Sequence, residues 1–138
     1  MKRNRIIIGI VLLLIIGLFF VIEYFSKTKE INNEIEINIT KGQIIKSPLL
    51  IKGTVTGGKW VGFEGQVGRV ELVQSNGLVL ASAPLLTISD WTNLPTNFEA
   101  KLIFNSLEEK DLLLVFHNEN PSGILENDRI LNIPVKIK

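Results

Sequence analysis

Residues 34–40 read Glu-Ile-Glu-Ile-Asn-Ile-Thr, a strict alternation of polar and apolar side chains. Successive side chains of a β-strand point to opposite faces, so this pattern predicts a strand with one buried and one solvated face. The same period returns at residues 98–104, which read Phe-Glu-Ala-Lys-Leu-Ile-Phe. The stretch from residue 34 onward is therefore expected to form half-buried strands.

Further segments between these two and after them carry strand patterns and are bounded by turn-forming residues. Asn76-Gly77 predicts a type I′ hairpin, Pro84 is expected to end a strand, and Pro134 is expected to lie at an edge or beside a gap in the pairing. The segment 111–117 is apolar on both faces, which is typical of a central, doubly covered strand. The additional predicted strands are residues 49–56, 67–74, 78–83, 111–117 and 129–137.

These strands predict an all-β fold for residues 34–138. About seven short strands with regularly spaced turns and no helix are typical of an immunoglobulin-like β-sandwich, and a small β-barrel is the alternative. The segment is long enough for one hydrophobic core.

The first 33 residues have a different composition. An uninterrupted apolar run at residues 6–22 follows Lys2, Arg3 and Arg5. A cleaved signal peptide would need small residues before its cut site, and a helix in a soluble core would need a polar face; neither is present. The sequence therefore predicts a cytoplasmic stub (1–5), a transmembrane signal anchor (6–25) and a linker (26–33), with the N-terminus inside and the domain outside the cytoplasm.

Composition excludes several functional classes. The chain has 15 Lys and Arg against 14 Asp and Glu, no Cys and one His. The absence of cysteine excludes disulfides, zinc fingers and thiol catalysis, and the balanced charge gives no reason to expect a nucleic-acid partner. His117 is expected to be a structural residue at a strand end, so neither a catalytic residue nor a cofactor is predicted. Calcium binding is left open for residues 118–128, where oxygen ligands crowd one loop: Asn118, Glu119, Asn120, Glu126 and Asp128.

The glycine-rich loop 57–65 holds the candidate binding residues. Lys59 and Trp60 are predicted to contact a partner, with Trp60 pointing outward; burial of Trp60 in the core is the alternative. Phe63 is expected to pack into the sandwich, and Glu64 to brace the loop by accepting backbone N–H groups. Trp91 is expected to plug one end of the sandwich.

A series of landmarks resembles a known family. These landmarks are Ser47-Pro48, Gly53, Phe63-Glu64, Gly77, Trp91, Phe98, Phe116, Gly123 and Ile133-Pro134-Val135. In order and spacing they are similar to the immunoglobulin-like domain of bacterial spore-germination proteins, the GerMN-associated or Gmad type. The resemblance covers about residues 35–138. It implies an extracytoplasmic β-sandwich with a binding or scaffolding role and without catalytic residues.

The expected function is therefore a non-enzymatic, membrane-anchored module of the cell envelope whose partner is another envelope protein. The alternatives are a module that binds glycan or peptidoglycan through Trp60 or Trp91, and a hydrolase.

Overall fold

The computed structural model describes residues 34–105 and 111–137. They belong to a compact unit, Asn33–Lys138. The predicted stub, signal anchor and linker at residues 1–33 lie outside the described residues. Within the described ranges, no helix is long and apolar enough to cross a membrane.

The described chain is all-β, as the alternating pattern predicted, and its helical content is one short 3₁₀ turn, Leu125–Asn127. Residues 43–45 form an unpredicted strand, because three residues are too few for an alternating pattern to be recognised. The strands are β1 (Ile35–Ile37), β2 (Gln43–Ile45), β3 (Leu49–Val55), β4 (Gln66–Gln74), β5 (Val79–Thr87), β6 (Thr96–Leu102), β7 (Asp111–Asn118) and β8 (Ile130–Ile137).

The eight strands form one curled sheet in the order β1-β3-β6-β5-β4-β7-β8-β2. Neighbours are antiparallel except β2, which runs parallel to β8. β5 and β6 pair at only two positions, so the two halves of the sheet are joined weakly there. Buried side chains of both halves, including Ile51 and Phe98 on one side and Leu114 and Phe116 on the other, form a single core. The arrangement is therefore β-sandwich-like, with the core between the two halves.

Strand β7 lies between β4 and β8, but only one of its faces is buried. Leu112, Leu114 and Phe116 are buried, whereas Leu113 and Val115 on the other face are half-buried. The predicted double covering is therefore wrong. The prediction failed because a central strand with half-buried apolar side chains on its outer face has the same apolar sequence as a strand covered on both faces.

In the β4–β5 hairpin, the predicted end of the strand at Pro84 and the predicted type I′ turn at Asn76-Gly77 both need correction. Pro84 does not end β5 but lies within it, opposite Arg69 of β4. On its other side β5 pairs with no described strand at this position, so the lack of an N–H in proline breaks no ladder hydrogen bond there.

The hairpin itself forms, but its turn is not type I′. Gly77 has a positive φ of 86°, whereas Asn76 does not have one. The Gly77 N–H donates to the Gln74 carbonyl (2.9 Å), and the Gln74 N–H donates to the Leu78 carbonyl (2.9 Å). A three-residue loop with glycine in the left-handed region therefore joins the strands.

Pro134 lies beside a gap in the pairing of β8, as expected. Pairing with β2 begins at Val135, one residue later. The Pro134 carbonyl accepts a hydrogen bond from the Gly42 N–H (2.7 Å).

Candidate binding surface at the loop end

Three connecting loops meet at one end of the sheet. β3 ends beside the start of β6, since Val55 pairs with Thr96. The start of β4 lies beside the end of β7, since Gly68 pairs with Asn118. The β3–β4, β5–β6 and β7–β8 connections therefore lie together, and we call residues 56–65, 88–95 and 119–129, with Glu34 beside them, the loop end.

Trp60 is fully buried, so its predicted outward orientation is wrong and the core alternative holds. Its indole is among the largest side chains of the core, and it fills the position at this end of the sheet that was predicted for Trp91. An indole buries a large apolar area, which favours the inward orientation. A loop without alternating polarity gives no indication of which way the ring points.

Phe63 and Glu64 also differ from their predicted roles. Phe63 is 38% exposed and so does not pack fully into the core. It begins a tight turn in which its N–H donates to the Gln66 carbonyl (2.8 Å) and the Gln66 N–H donates back (3.1 Å). Glu64 is exposed at the tip of this turn, with a positive φ of 51°. Its carboxylate makes no hydrogen bond to the described residues, so it braces nothing there.

The bracing carboxylate is instead Glu34. Its Oε2 accepts a hydrogen bond from the Lys59 N–H (3.1 Å), and its carbonyl accepts one from the Thr56 N–H (3.0 Å). A Cβ at Gly58 would lie 2.1 Å from the Glu34 Cδ, so only glycine allows this approach. The only sign of this contact in the sequence is the pair Gly57-Gly58, since paired glycines can mark a close approach but do not identify the partner.

Asn118 joins the β3–β4 loop to the β7–β8 loop, and sequence reasoning missed this role. Its side chain is buried, and its Nδ2 donates to the carbonyls of Lys59 (2.7 Å) and Asn127 (2.9 Å). Its Oδ1 accepts a hydrogen bond from the Arg129 N–H (2.8 Å). The Lys59 Nζ also donates to the Asn127 Oδ1 (2.6 Å). Lys59 therefore links two loops, and its predicted contact with a partner stays a prediction.

Hydrogen bonds within the β7–β8 loop hold its shape. The Asn120 Nδ2 donates to the Ile124 carbonyl (2.8 Å) and to the Asp128 Oδ1 (2.6 Å). The Asn127 Nδ2 donates to the Ser122 Oγ (3.0 Å). Side-chain oxygens that could bind a cation are engaged as well, because the Asn120 Oδ1 accepts from the Ser122 Oγ (2.6 Å) and the Asn127 Oδ1 from the Lys59 Nζ (2.6 Å). Within the described ranges no group of three or more His, Cys, Asp or Glu side chains could hold a metal.

Several large apolar side chains are exposed at the loop end. Leu125 is 83% exposed and Ile124 is 54% exposed, both at the tip of the β7–β8 loop. Trp91 is 38% exposed and lies across Gly62, where a Cβ would come within 2.5 Å of the Trp91 carbonyl oxygen. The backbone of Trp91 therefore lies against the β3–β4 loop, and its partly exposed side chain is not among the core residues, in contrast to the predicted plug. These exposed side chains make up the apolar surface of the loop end, and hydrogen bonds hold the β7–β8 loop that carries two of them.

A polar cleft of about 380 Å³ lies beside this surface. Arg69, His117 and Arg129 line it, together with asparagine and carboxylate side chains of the β7–β8 loop. Behind it, the Glu71 carboxylate joins the Arg69 Nε (3.0 Å) and the His117 Nε2 (3.2 Å). Burial raises the pKa of Glu71, but the hydrogen bonds and positive charges of Arg69 and His117 outweigh burial and hold that pKa below its usual range.

This cleft lacks the features expected for the two alternative functions. Among the described residues, His117 hydrogen-bonds to Glu71 and to no hydroxyl that it could activate. Among the described residues, no Phe, Tyr or Trp side chain lines the cleft, so it has no broad stacking platform for a sugar. A separate carboxyl, Asp90 in the β5–β6 loop, has a lowered pKa because the Thr92 hydroxyl and N–H and the Asn93 amide donate to it.

Comparisons with known proteins give one similarity. No protein-family model and no curated protein matches the chain. Among solved structures, the crystal structure of CopC from Methylosinus trichosporium OB3b is similar, with a TM-score of 0.46 and 14% sequence identity. The similarity covers 75% of this chain and 89% of that chain.

Proposed function

We propose that this chain is a single-pass, membrane-anchored protein whose extracytoplasmic immunoglobulin-like domain acts as a non-enzymatic protein-binding or scaffolding module of the bacterial cell envelope. Residues 6–25 cross the membrane, residues 1–5 stay in the cytoplasm, and residues 26–33 tether the domain. The apolar run after Lys2, Arg3 and Arg5 supports this arrangement.

The strand order supports the immunoglobulin-like assignment. In that fold, strands A, B and E belong to one sheet and strands C, F and G to the other. Here β1-β3-β6 and β4-β7-β8 are neighbours in the same pattern. Within this class, the landmarks from Ser47-Pro48 to Ile133-Pro134-Val135 support a relation to the Gmad-type domain.

One observation carries the binding role: the exposed Leu125 on a loop that is held in shape by hydrogen bonds. Fully burying a leucine side chain stabilises by about 1.5–3 kcal/mol, and a preorganised loop loses little conformational entropy on docking. A protein surface can supply an apolar pocket for it, whereas a glycan is usually held by aromatic platforms with convergent polar groups. Because Trp60 is buried, Trp91 is the one indole with exposed surface among the described residues.

Site-specific photo-crosslinking in cells that express the chain natively tests the protein-binding role. A photoreactive amino acid replaces Leu125 in the full chain, and a matched variant carries it at Leu78, which is 57% exposed on the β4–β5 hairpin at the other end of the sheet. We expect a discrete protein adduct from position 125 and none from position 78. An adduct with glycan, equal adducts from both positions, or no adduct would contradict the proposal.

A further inference from the structure

The charges of the described domain are distributed unevenly between the loop end and the rest. Apart from the loop end, the described residues carry six Lys and Arg against four Asp and Glu, a net charge of +2. The loop end has six carboxylates against two cations, a net charge of −4: Glu34, Glu64, Asp90, Glu119, Glu126 and Asp128 against Lys59 and Arg129. The exposed apolar surface therefore lies in the acidic part of the domain.

Two of these carboxylates have no hydrogen-bonding or ionic partner among the described residues, namely Glu64 and Glu126. The others are engaged within the domain: Glu119, for example, accepts from the Gln66 Nε2 (2.7 Å). Each of the two unpaired carboxylates directly follows an exposed apolar side chain, Phe63 or Leu125. The same arrangement, an apolar side chain beside an unpaired carboxylate, thus occurs on two neighbouring loops.

We propose that the partner of the loop end is a protein with a basic contact surface, in which Lys or Arg residues surround an apolar pocket for Leu125. Glu126 and Glu64 then form ion pairs at the rim of the contact, where complementary charge steers association and selects the partner. An anionic lipid surface would repel the net charge of −4 at this end. This inference rests on the proposed protein-binding function and adds the chemistry of the partner.

Charge reversal in the crosslinking experiment tests the inference. The full chain carries the photoreactive residue at position 125, combined with Glu64→Lys and Glu126→Lys. We expect the yield of the protein adduct to fall by about tenfold in the double variant. Glu36→Lys is the matched control, because Glu36 is an exposed carboxylate on β1 outside the loop end, and it should leave the yield unchanged. The crosslinked peptide of the partner should be rich in Lys and Arg.

The outcomes separate this inference from the function on which it rests. An adduct that survives both charge reversals, or a crosslinked peptide without an excess of basic residues, overturns the basic partner and leaves protein binding intact. A lipid adduct or no adduct from the parent chain overturns both. If the lysine variants melt at a lower temperature than the parent, Glu64→Gln and Glu126→Gln remove the charges while keeping the shape, and a loss of adduct is expected again.

Discussion

Trp60 contributes one of the largest fully buried side chains of the domain, although it lies in a loop. We predict that Trp60→Ala lowers the free energy of unfolding by about 3–5 kcal/mol, because it removes a core aromatic ring and leaves a cavity. Chemical denaturation of the two proteins measures the difference.

Trp91→Ala is the control at this end of the sheet, and its smaller effect should reflect the 38% exposure of that indole. In a Trp91→Phe background, Trp60 fluorescence should be blue-shifted and resistant to acrylamide. Strong quenching of Trp60, or a Trp60→Ala variant as stable as the parent, would contradict its burial.

The lowered pKa of Glu71 predicts that the stability of the domain depends on pH. Its pKa in the folded protein is lowered from the usual value of 4.5, so its contribution to stability is present above that pH and is lost as the pH falls through the folded pKa. Glu71→Gln should therefore be less stable than the parent near neutral pH, and the difference should shrink on acidification below about pH 4.5. Unfolding free energies between pH 3 and 7 provide the measurement, and a difference independent of pH would be the contrary result.

The pairing of β4 with β7 depends on Gly68. A Cβ at this position would lie 1.9 Å from the His117 carbonyl oxygen, and the φ of 150° is rarely adopted by other residues. We predict that Gly68→Ala destabilises the domain by about 3 kcal/mol or more, through steric overlap and backbone strain together.

Gly77→Ala separates these two causes. Gly77 also has a positive φ, but no neighbouring atom of the described residues lies within 4 Å of the position of a Cβ, so the cost should be only that of strain, about 1–2 kcal/mol. Equal thermal destabilisation by the two substitutions would show that the contact with His117 is unimportant.

The connection between the β3–β4 and β7–β8 loops depends on the amide group of Asn118. Asn118→Asp keeps the shape and the acceptor for the Arg129 N–H but removes the donors to Lys59 and Asn127. We expect the free energy of unfolding to fall by about 2–4 kcal/mol, because two part-buried hydrogen bonds to carbonyls are lost and a charge replaces a buried amide. Hydrogen exchange of the Lys59 amide should accelerate together with that of the β7–β8 loop. Unchanged exchange in both loops would mean that they are not coupled through this residue.

For the whole molecule, residues 34–138 should fold on their own and residues 6–25 should hold the chain in the membrane. The fragment 34–138 should be recovered in the soluble fraction with a β-type circular dichroism spectrum and one cooperative melting transition, since it contains a complete core. The full chain should sediment with membranes and keep its original N-terminus. A mature N-terminus near residues 25–30 would show that the segment is a cleaved signal peptide.

The sequence by itself determined the all-β class and the approximate positions of seven of the eight strands. An alternating pattern is a local property, because a strand presents every second side chain to the core whatever its neighbours are. Phe98 and Phe116 obey the same rule, since both lie on inward strand positions and are fully buried. The rule did not find β2, because that strand is too short to show the pattern. It also did not show that β5 can contain Pro84, because this depends on the absence of a described partner strand beside that residue.

Only the tertiary structure decided what the loops do. The orientation of Trp60, the bracing of Lys59 by Glu34 and the connection made by Asn118 depend on groups 25 and 59 residues apart in the chain. No local pattern encodes such contacts, since loops have no periodicity that relates a side chain to the core. The exposure of Leu125 was decided in the same way: hydrogen bonds within its loop and to Lys59 keep the loop in place, and its side chain therefore remains in the solvent.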